Sequence, residues 1–99
     1  MPRSAREQSA HDAAVRRWAE SLERQGYEVV ADVKGYNRPG TYYGLRPDIV
    51  AMNGRKRIIG EVETPKSVGE LCDQAQRSAF KRMEDMSKHT FFQRRIARP

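Results

Sequence analysis

Two short apolar runs on either side of a tight polar turn constrain the fold of this chain more than any other feature. The runs "DIVAM" and "RIIGEV" flank "NGRK", and the dipeptide Asn53-Gly54 is typical of tight turns that join antiparallel strands. In such a hairpin the beginning of the first strand lies beside the end of the second. The sequence therefore predicts that Asp48 lies near Glu61 and Glu63.

A helix is predicted before the hairpin, over residues 9–25, with residues 1–8 as an arm that precedes it. Ser4 with Glu7, or Ser9 with Asp12, fits the pattern of an N-terminal capping box. Apolar residues recur at the helical period and form one stripe. The members of this stripe are Val15, Trp18, Ala19 and Leu22.

The remaining segments complete an αβββαβ order. "YEVVADV" alternates as a strand does, and "GYNRPGTYYGLRP" predicts an irregular loop. A helical stripe begins at Val68, and "TFFQRRIA" predicts a last strand. We therefore expect an α/β chain of one domain, residues 1–99, with a mixed central sheet and a helix on each face.

The charge of the chain favours a polyanionic partner. Nineteen Lys and Arg oppose thirteen Asp and Glu, which gives a formal net charge of +6. Nucleic acid is the commonest partner of such a basic domain. No stretch of the sequence is apolar for long enough to span a bilayer. The lack of a hydrophobic leader and the presence of one cysteine, Cys72, predict a cytoplasmic protein.

The predicted meeting of acids at one end of the sheet indicates a metal site. Glu61 and Glu63 alternate along one strand and therefore share a face. Clustered carboxylates repel one another unless a cation intervenes. Mg²⁺ or Mn²⁺ prefers such oxygen ligands, and a bound divalent ion polarises a phosphodiester and activates water. These residues favour a metal-dependent nuclease.

The stretch "RPDIVAMNGRKRIIGEVET" resembles the core of the PD-(D/E)xK nuclease superfamily, which includes restriction endonucleases, Holliday-junction resolvases and RecB-type nucleases. The predicted order of elements is also similar to its restriction-endonuclease-like core. The resemblance implies that Asp48, Glu61 and the main-chain carbonyl of Val62 bind metal. Glu63 occupies the position of the family's lysine, so the resemblance implies that it positions water or a second metal.

The other site residues are predicted from position, from residue type or from the same resemblance. Lys66 is a candidate to supply the missing cation to the phosphate, as is Lys34. Glu7 is a candidate for the acid that some resolvases carry on their first helix. The predicted nucleic-acid contacts are Lys34, Tyr36, Arg38, Tyr42, Tyr43, Arg46 and Gln76.

Three functions remain open from the sequence. The first is a Mg²⁺- or Mn²⁺-dependent DNA endonuclease, with double-stranded or branched DNA as substrate and a homodimer as a suitable assembly. The second is a nucleic-acid-binding module on the same fold that lost catalysis together with the lysine. The third is a subunit whose sheet end serves protein contacts.

Overall fold

One helix and a four-stranded mixed sheet make up the α/β structure in the computed structural model, which describes residues 4–42, 44–64, 78, 81, 82 and 89–97. The helix is α1 (Ala5–Arg24). The strands follow as β1 (Glu28–Ala31), β2 (Ile49–Asn53), β3 (Lys56–Glu63) and β4 (Thr90–Ile96). Their order across the sheet is β1-β2-β3-β4, with β4 parallel to β3 and the other pairs antiparallel. The four predicted strands and the mixed sheet are confirmed.

The second predicted helix, from Val68, lies almost wholly outside the described residues. Within that segment, Ser78, Lys81 and Arg82 have a helical conformation. Cys72 also lies outside the described residues. The α/β class is therefore established, and the finer likeness to a nuclease core stays a prediction.

Helix α1 begins earlier than the apolar stripe indicated. Ser4 Oγ accepts a hydrogen bond from the Glu7 main-chain N–H, and Glu7 Oε1 accepts one from Ser4 N. This capping box satisfies main-chain donors that a helix otherwise leaves without a partner. Residues 5–8 consequently belong to the helix rather than to an arm, and of the two predicted caps the structure forms the first.

The predicted hairpin turn between β2 and β3 is confirmed. Asn53 is paired with Lys56, so the loop has two residues, and Gly54 has a φ of 61° that favours glycine. Strand β1 is shorter than predicted because the chain bends after Ala31. There, Asp32 N donates to the carbonyl of Asp48 at 2.8 Å, which ties the end of β1 to the residue before β2.

Helix α1 packs on one face of the sheet and forms the core there. The predicted stripe is buried against β2 and β3, with Ile49, Ala51, Ile58 and Val62 on the sheet side. Gly60 permits this close approach, since an added Cβ would lie 2.6 Å from atoms of both Ile49 and Trp18. Side chains alternate along a strand, so Glu61 and Glu63 project from the face opposite α1.

Strand β4 extends the sheet beside β3. Its register pairs Arg94 with Glu61 and Arg95 with Val62. Arg95 therefore shares the face of α1, and its guanidinium carbon lies 4.4 Å from the centre of the Trp18 ring. Arg94 shares the face of Glu61, which gives this acidic residue a cationic neighbour on the adjoining strand.

Candidate active site at the end of the central hairpin

Asp48 links the two strands of the hairpin at the end opposite the turn. Its Oδ2 atom accepts a hydrogen bond from the main-chain N–H of Val62 at 2.8 Å. The residue before it, Pro47, is buried and has no main-chain N–H. The Asp48 carboxylate thus serves as an acceptor for β3 just beyond the last paired residues, Ile49 and Gly60. The prediction that Asp48 lies beside the end of β3 is confirmed.

His11 brings helix α1 into the same site. Its Nε2 atom lies 3.2 Å from Asp48 Oδ1, and its Nδ1 atom lies 3.0 Å from Asp12 Oδ1. The ring is 4% exposed, so it lies between two carboxylates and away from bulk water. A neutral imidazole carries one N–H and an imidazolium carries two, so only the charged form donates from both nitrogens.

The sequence did not single out His11 as a site residue. A histidine on a helix is more often a core or surface residue than a functional one, so its presence there does not by itself indicate a site. The available signal is topological: α1 leads into β1, which runs antiparallel to β2, so the N-terminal end of α1 points back toward Asp48. The contact between His11 and Asp48 confirms that placement.

Glu61 and Glu63 are buried acids on β3, with 3% and 4% of their surfaces exposed. A buried carboxylate is costly unless cations or hydrogen-bond donors surround it. Arg94 is the cross-strand neighbour of Glu61, and the Glu63 carbonyl accepts the main-chain N–H of Ala97 at 2.7 Å. This alignment of Arg94 with Glu61 depends on the register of two parallel strands, which the sequence alone does not fix.

The donor atoms at this end of the hairpin match a hard divalent cation in type. Mg²⁺ is commonly held by one or two carboxylates together with waters. Asp48 and Glu61 offer such carboxylates. The N–H and C=O of one strand residue point toward the same neighbouring strand, so the Val62 carbonyl is directed to the side on which Asp48 lies. The predicted set of Asp48, Glu61 and the Val62 carbonyl therefore suits this ion chemically.

A larger acidic cluster does not form in the part of the chain that the structure describes. Within those ranges, no group of three or more His, Cys, Asp and Glu side chains is arranged to hold a metal ion. The expected gathering of Asp48, Glu61 and Glu63 around one ion therefore receives no support from these residues. The two-carboxylate site stays a prediction.

The remaining candidates fall into four groups, the last of which lines a pocket beside α1. Glu7 forms the capping box and is buried, which accounts for its position. Its catalytic role stays a prediction. Arg46 donates to the Pro39 carbonyl at 2.6 Å, and the Tyr42 ring centre lies 5.6 Å from the Arg57 guanidinium carbon, so both belong to contacts within the protein. Three predicted residues lie outside the described residues: Tyr43, Lys66 and Gln76.

Lys34, Tyr36 and Arg38 come together at a pocket beside α1. Its volume is about 450 Å³, and Gln8 and Asp12 of α1 also line it. The Tyr36 hydroxyl donates to Glu23 Oε1 at 2.7 Å. This hydrogen bond to a carboxylate, with smaller effects of burial and of the charges of Glu23 and Glu20, raises the pKa of Tyr36 to about 12.

Comparison of the chain with protein-family models, with curated proteins and with solved structures finds no match. Among the residues that the structure describes, no helix is long and apolar enough to cross a membrane.

Proposed function

We propose that this protein is a Mg²⁺- or Mn²⁺-dependent DNA endonuclease that hydrolyses phosphodiester bonds at the end of the central hairpin. The observation that carries the proposal is the position of Asp48. Its carboxylate lies at the end of β3, bound to the N–H of Val62 directly after Glu61. The resemblance to PD-(D/E)xK nucleases supports it, since the acids of that motif occupy equivalent positions on a hairpin.

In this proposal Asp48, Glu61 and the Val62 carbonyl hold the divalent cation. When bound, that cation polarises the phosphodiester and lowers the pKa of a water molecule. His11 lies 3.2 Å from Asp48 and restricts the orientation of that carboxylate. Glu63, two residues after Glu61, accepts a proton from the attacking water. A carboxylate can take this role, whereas the ammonium of the family's lysine cannot.

Cationic residues around the site bind the charged substrate. Arg94 is aligned with Glu61 in the sheet, and Lys34 and Arg38 line the neighbouring pocket. Arginine and lysine neutralise phosphates, so binding weakens as salt rises. Arg94 is our candidate for the positive charge that the family's lysine provides, together with the earlier candidate Lys66.

A nucleic-acid-binding module without catalysis is the second candidate. Asp48 Oδ2 already accepts the main-chain N–H of Val62 at 2.8 Å, and Asp48 Oδ1 lies 3.2 Å from His11 Nε2. In a binding module, the buried acids hold the sheet end together and the basic residues bind the nucleic acid. Binding then falls steeply with salt and is insensitive to divalent cations.

A cleavage assay separates the two candidates. Labelled duplex and branched DNA are incubated with the protein with Mg²⁺, with Mn²⁺, and with a chelator. If the protein is an endonuclease, cleavage depends on the metal, and the cleavage rate falls at least about a hundredfold in Asp48→Asn. The matched control is Glu28→Gln, which changes an exposed carboxylate at the start of β1, where Glu28 is paired with Met52, away from Asp48 and from the pocket. Salt-dependent binding with no cleavage by the wild type supports the binding module.

A further inference from the structure

The pocket beside α1 has one flat wall. The ring of Tyr36 lines it next to Val33, and the hydrogen bond from the Tyr36 hydroxyl to Glu23 holds that ring in place. The Tyr36 hydroxyl is protonated at neutral pH, as a tyrosine hydroxyl ordinarily is, and therefore donates to Glu23. A fixed aromatic ring in an open pocket is a surface on which another planar ring stacks.

A second wall of the pocket is polar and comes from Gln8 and Asp12 of α1. The Gln8 side-chain amide donates to Asp12 Oδ1 at 2.8 Å. The contact of Asp12 with His11 also uses Oδ1, so the second carboxylate oxygen remains an acceptor for a ligand. A carboxylate accepts hydrogen bonds and an amide both donates and accepts, which matches the amino group and ring atoms on the edge of a nucleobase.

Cationic side chains lie along the rim of the pocket. Lys34 and Arg38 are exposed, and Arg38 Nε lies 3.3 Å from Asp32 Oδ1. That ion pair orients the guanidinium and leaves its other N–H groups as donors. Phosphate oxygens are the usual ligands of such exposed Lys and Arg side chains in a nucleic-acid-binding protein.

Two connections join this pocket to the candidate active site. Asp32, which lines the pocket, donates from its main-chain N–H to the Asp48 carbonyl at 2.8 Å. Asp12, on the other wall, contacts His11, which in turn contacts Asp48. The pocket therefore lies close to Asp48, at the end of the hairpin opposite the turn.

We infer that this pocket binds a single unpaired nucleotide, with its base stacked on Tyr36 and its phosphate at Lys34 and Arg38. A volume of about 450 Å³ lies within the usual range for small-ligand pockets. A base paired within a duplex has no free face to offer Tyr36. This inference rests on the proposed function, and it assigns the substrate class: DNA with an unpaired nucleotide beside the cleaved bond.

The test is binding of a fluorescent single-stranded DNA of twelve deoxycytidines, compared with a DNA duplex of equal length, at one low salt concentration and with a chelator. We expect the wild type to bind the single strand more tightly. Tyr36→Ala is expected to weaken that binding at least about fivefold, as removal of a stacking ring does. Tyr36→Phe, which keeps the ring, is expected to restore most of it. Gln8→Ala, at an exposed helix position, tests the polar wall.

Arg17→Gln is the control for charge, because Arg17 is exposed on α1 and does not line the pocket. Arg17→Gln and Lys34→Gln each remove one positive charge. Arg17→Gln is expected to weaken single-strand binding less than Lys34→Gln does. The inference is overturned if the duplex binds as tightly as the single strand. It is also overturned if folded Tyr36→Ala and Gln8→Ala both bind the single strand as the wild type does.

The same proteins are then assayed for cleavage with Mg²⁺, so that the two proposals fail separately. Selective single-strand binding without any cleavage supports the nucleotide pocket and rejects the endonuclease. Cleavage of continuous duplex that is unchanged in Tyr36→Ala supports the endonuclease and rejects the pocket as its substrate site.

Discussion

The carboxylate of Asp48 and the main-chain N–H of Val62 form a 2.8 Å hydrogen bond between residues fourteen positions apart in the sequence. This contact closes the hairpin at the end far from its turn. The same carboxylate contacts His11 on helix α1. Asp48 therefore stabilises the fold at the place where the proposed chemistry occurs, so that its two roles have to be separated by experiment.

Substitution of Asp48 separates those roles. Asp48→Ala leaves the buried Val62 N–H without its acceptor, and we expect a loss of about 1–3 kcal/mol in the free energy of unfolding. Asp48→Asn retains a side-chain oxygen and is expected to lose less than half as much. Urea denaturation measures both. Equal losses in the two variants would show that the Val62 hydrogen bond contributes little.

Gly60, in β3, has no room for a side chain. An alanine Cβ there would lie 2.6 Å from Trp18 Cη2 and Ile49 Cγ2, so Gly60→Ala is expected to destabilise the protein by about 1–3 kcal/mol through overpacking. Gly40→Ala is the control, because nothing lies within 4 Å of its added Cβ. Thermal unfolding measures both variants.

The cause of the Gly60 effect can be checked with a second substitution. Trp18→Phe removes the two ring atoms nearest the added Cβ. In the Gly60→Ala background it is expected to cost less stability than in the wild type, which a double-mutant cycle detects. If the stability losses of Gly60→Ala and Trp18→Phe are additive, the strain does not come from contact of the added Cβ with the Trp18 ring.

The strands, the hairpin turn and the apolar stripe of α1 could be predicted from the sequence, because each depends on local periodicity or turn chemistry. The alignment of Arg94 with Glu61 could not be predicted from the sequence, since the register of two parallel strands depends on the intervening crossover. Nor could the capping box of Ser4 and Glu7 be identified as the helix start, because two candidate caps matched the sequence pattern equally well.

The capping box at Ser4 gives a further prediction. Ser4→Ala removes the side-chain acceptor for the Glu7 N–H and is expected to lower the free energy of unfolding by about 1 kcal/mol. Glu7→Gln retains the box, because glutamine also fits its last position, and is expected to cost less than about 0.5 kcal/mol. Chemical denaturation distinguishes the two. Loss of cleavage in a fully stable Glu7→Gln would isolate a catalytic role for Glu7.

Tyr36 predicts a change in stability at alkaline pH. Its pKa is raised from 10.0 to about 12 in the folded protein, so the folded state binds this proton more tightly than the unfolded state. The resulting stabilisation is fully present below pH 10 and is lost as the pH rises through about 12. Glu23→Gln removes the main cause and is expected to bring the pKa of Tyr36 back toward 10. Ultraviolet absorbance titration of the wild type against Tyr36→Phe reports this group directly.

Binding of Mn²⁺ to the protein without DNA is the most direct measurement of the central claim, that Asp48 and Glu61 together hold a divalent cation. Water-proton relaxation with increasing Mn²⁺ reports bound metal in the wild type, in Asp48→Asn and in Glu61→Gln. We expect one saturable site in the wild type and its loss in both variants, with Glu28→Gln unchanged. A wild type that binds no Mn²⁺, or variants that bind it as the wild type does, would contradict this claim.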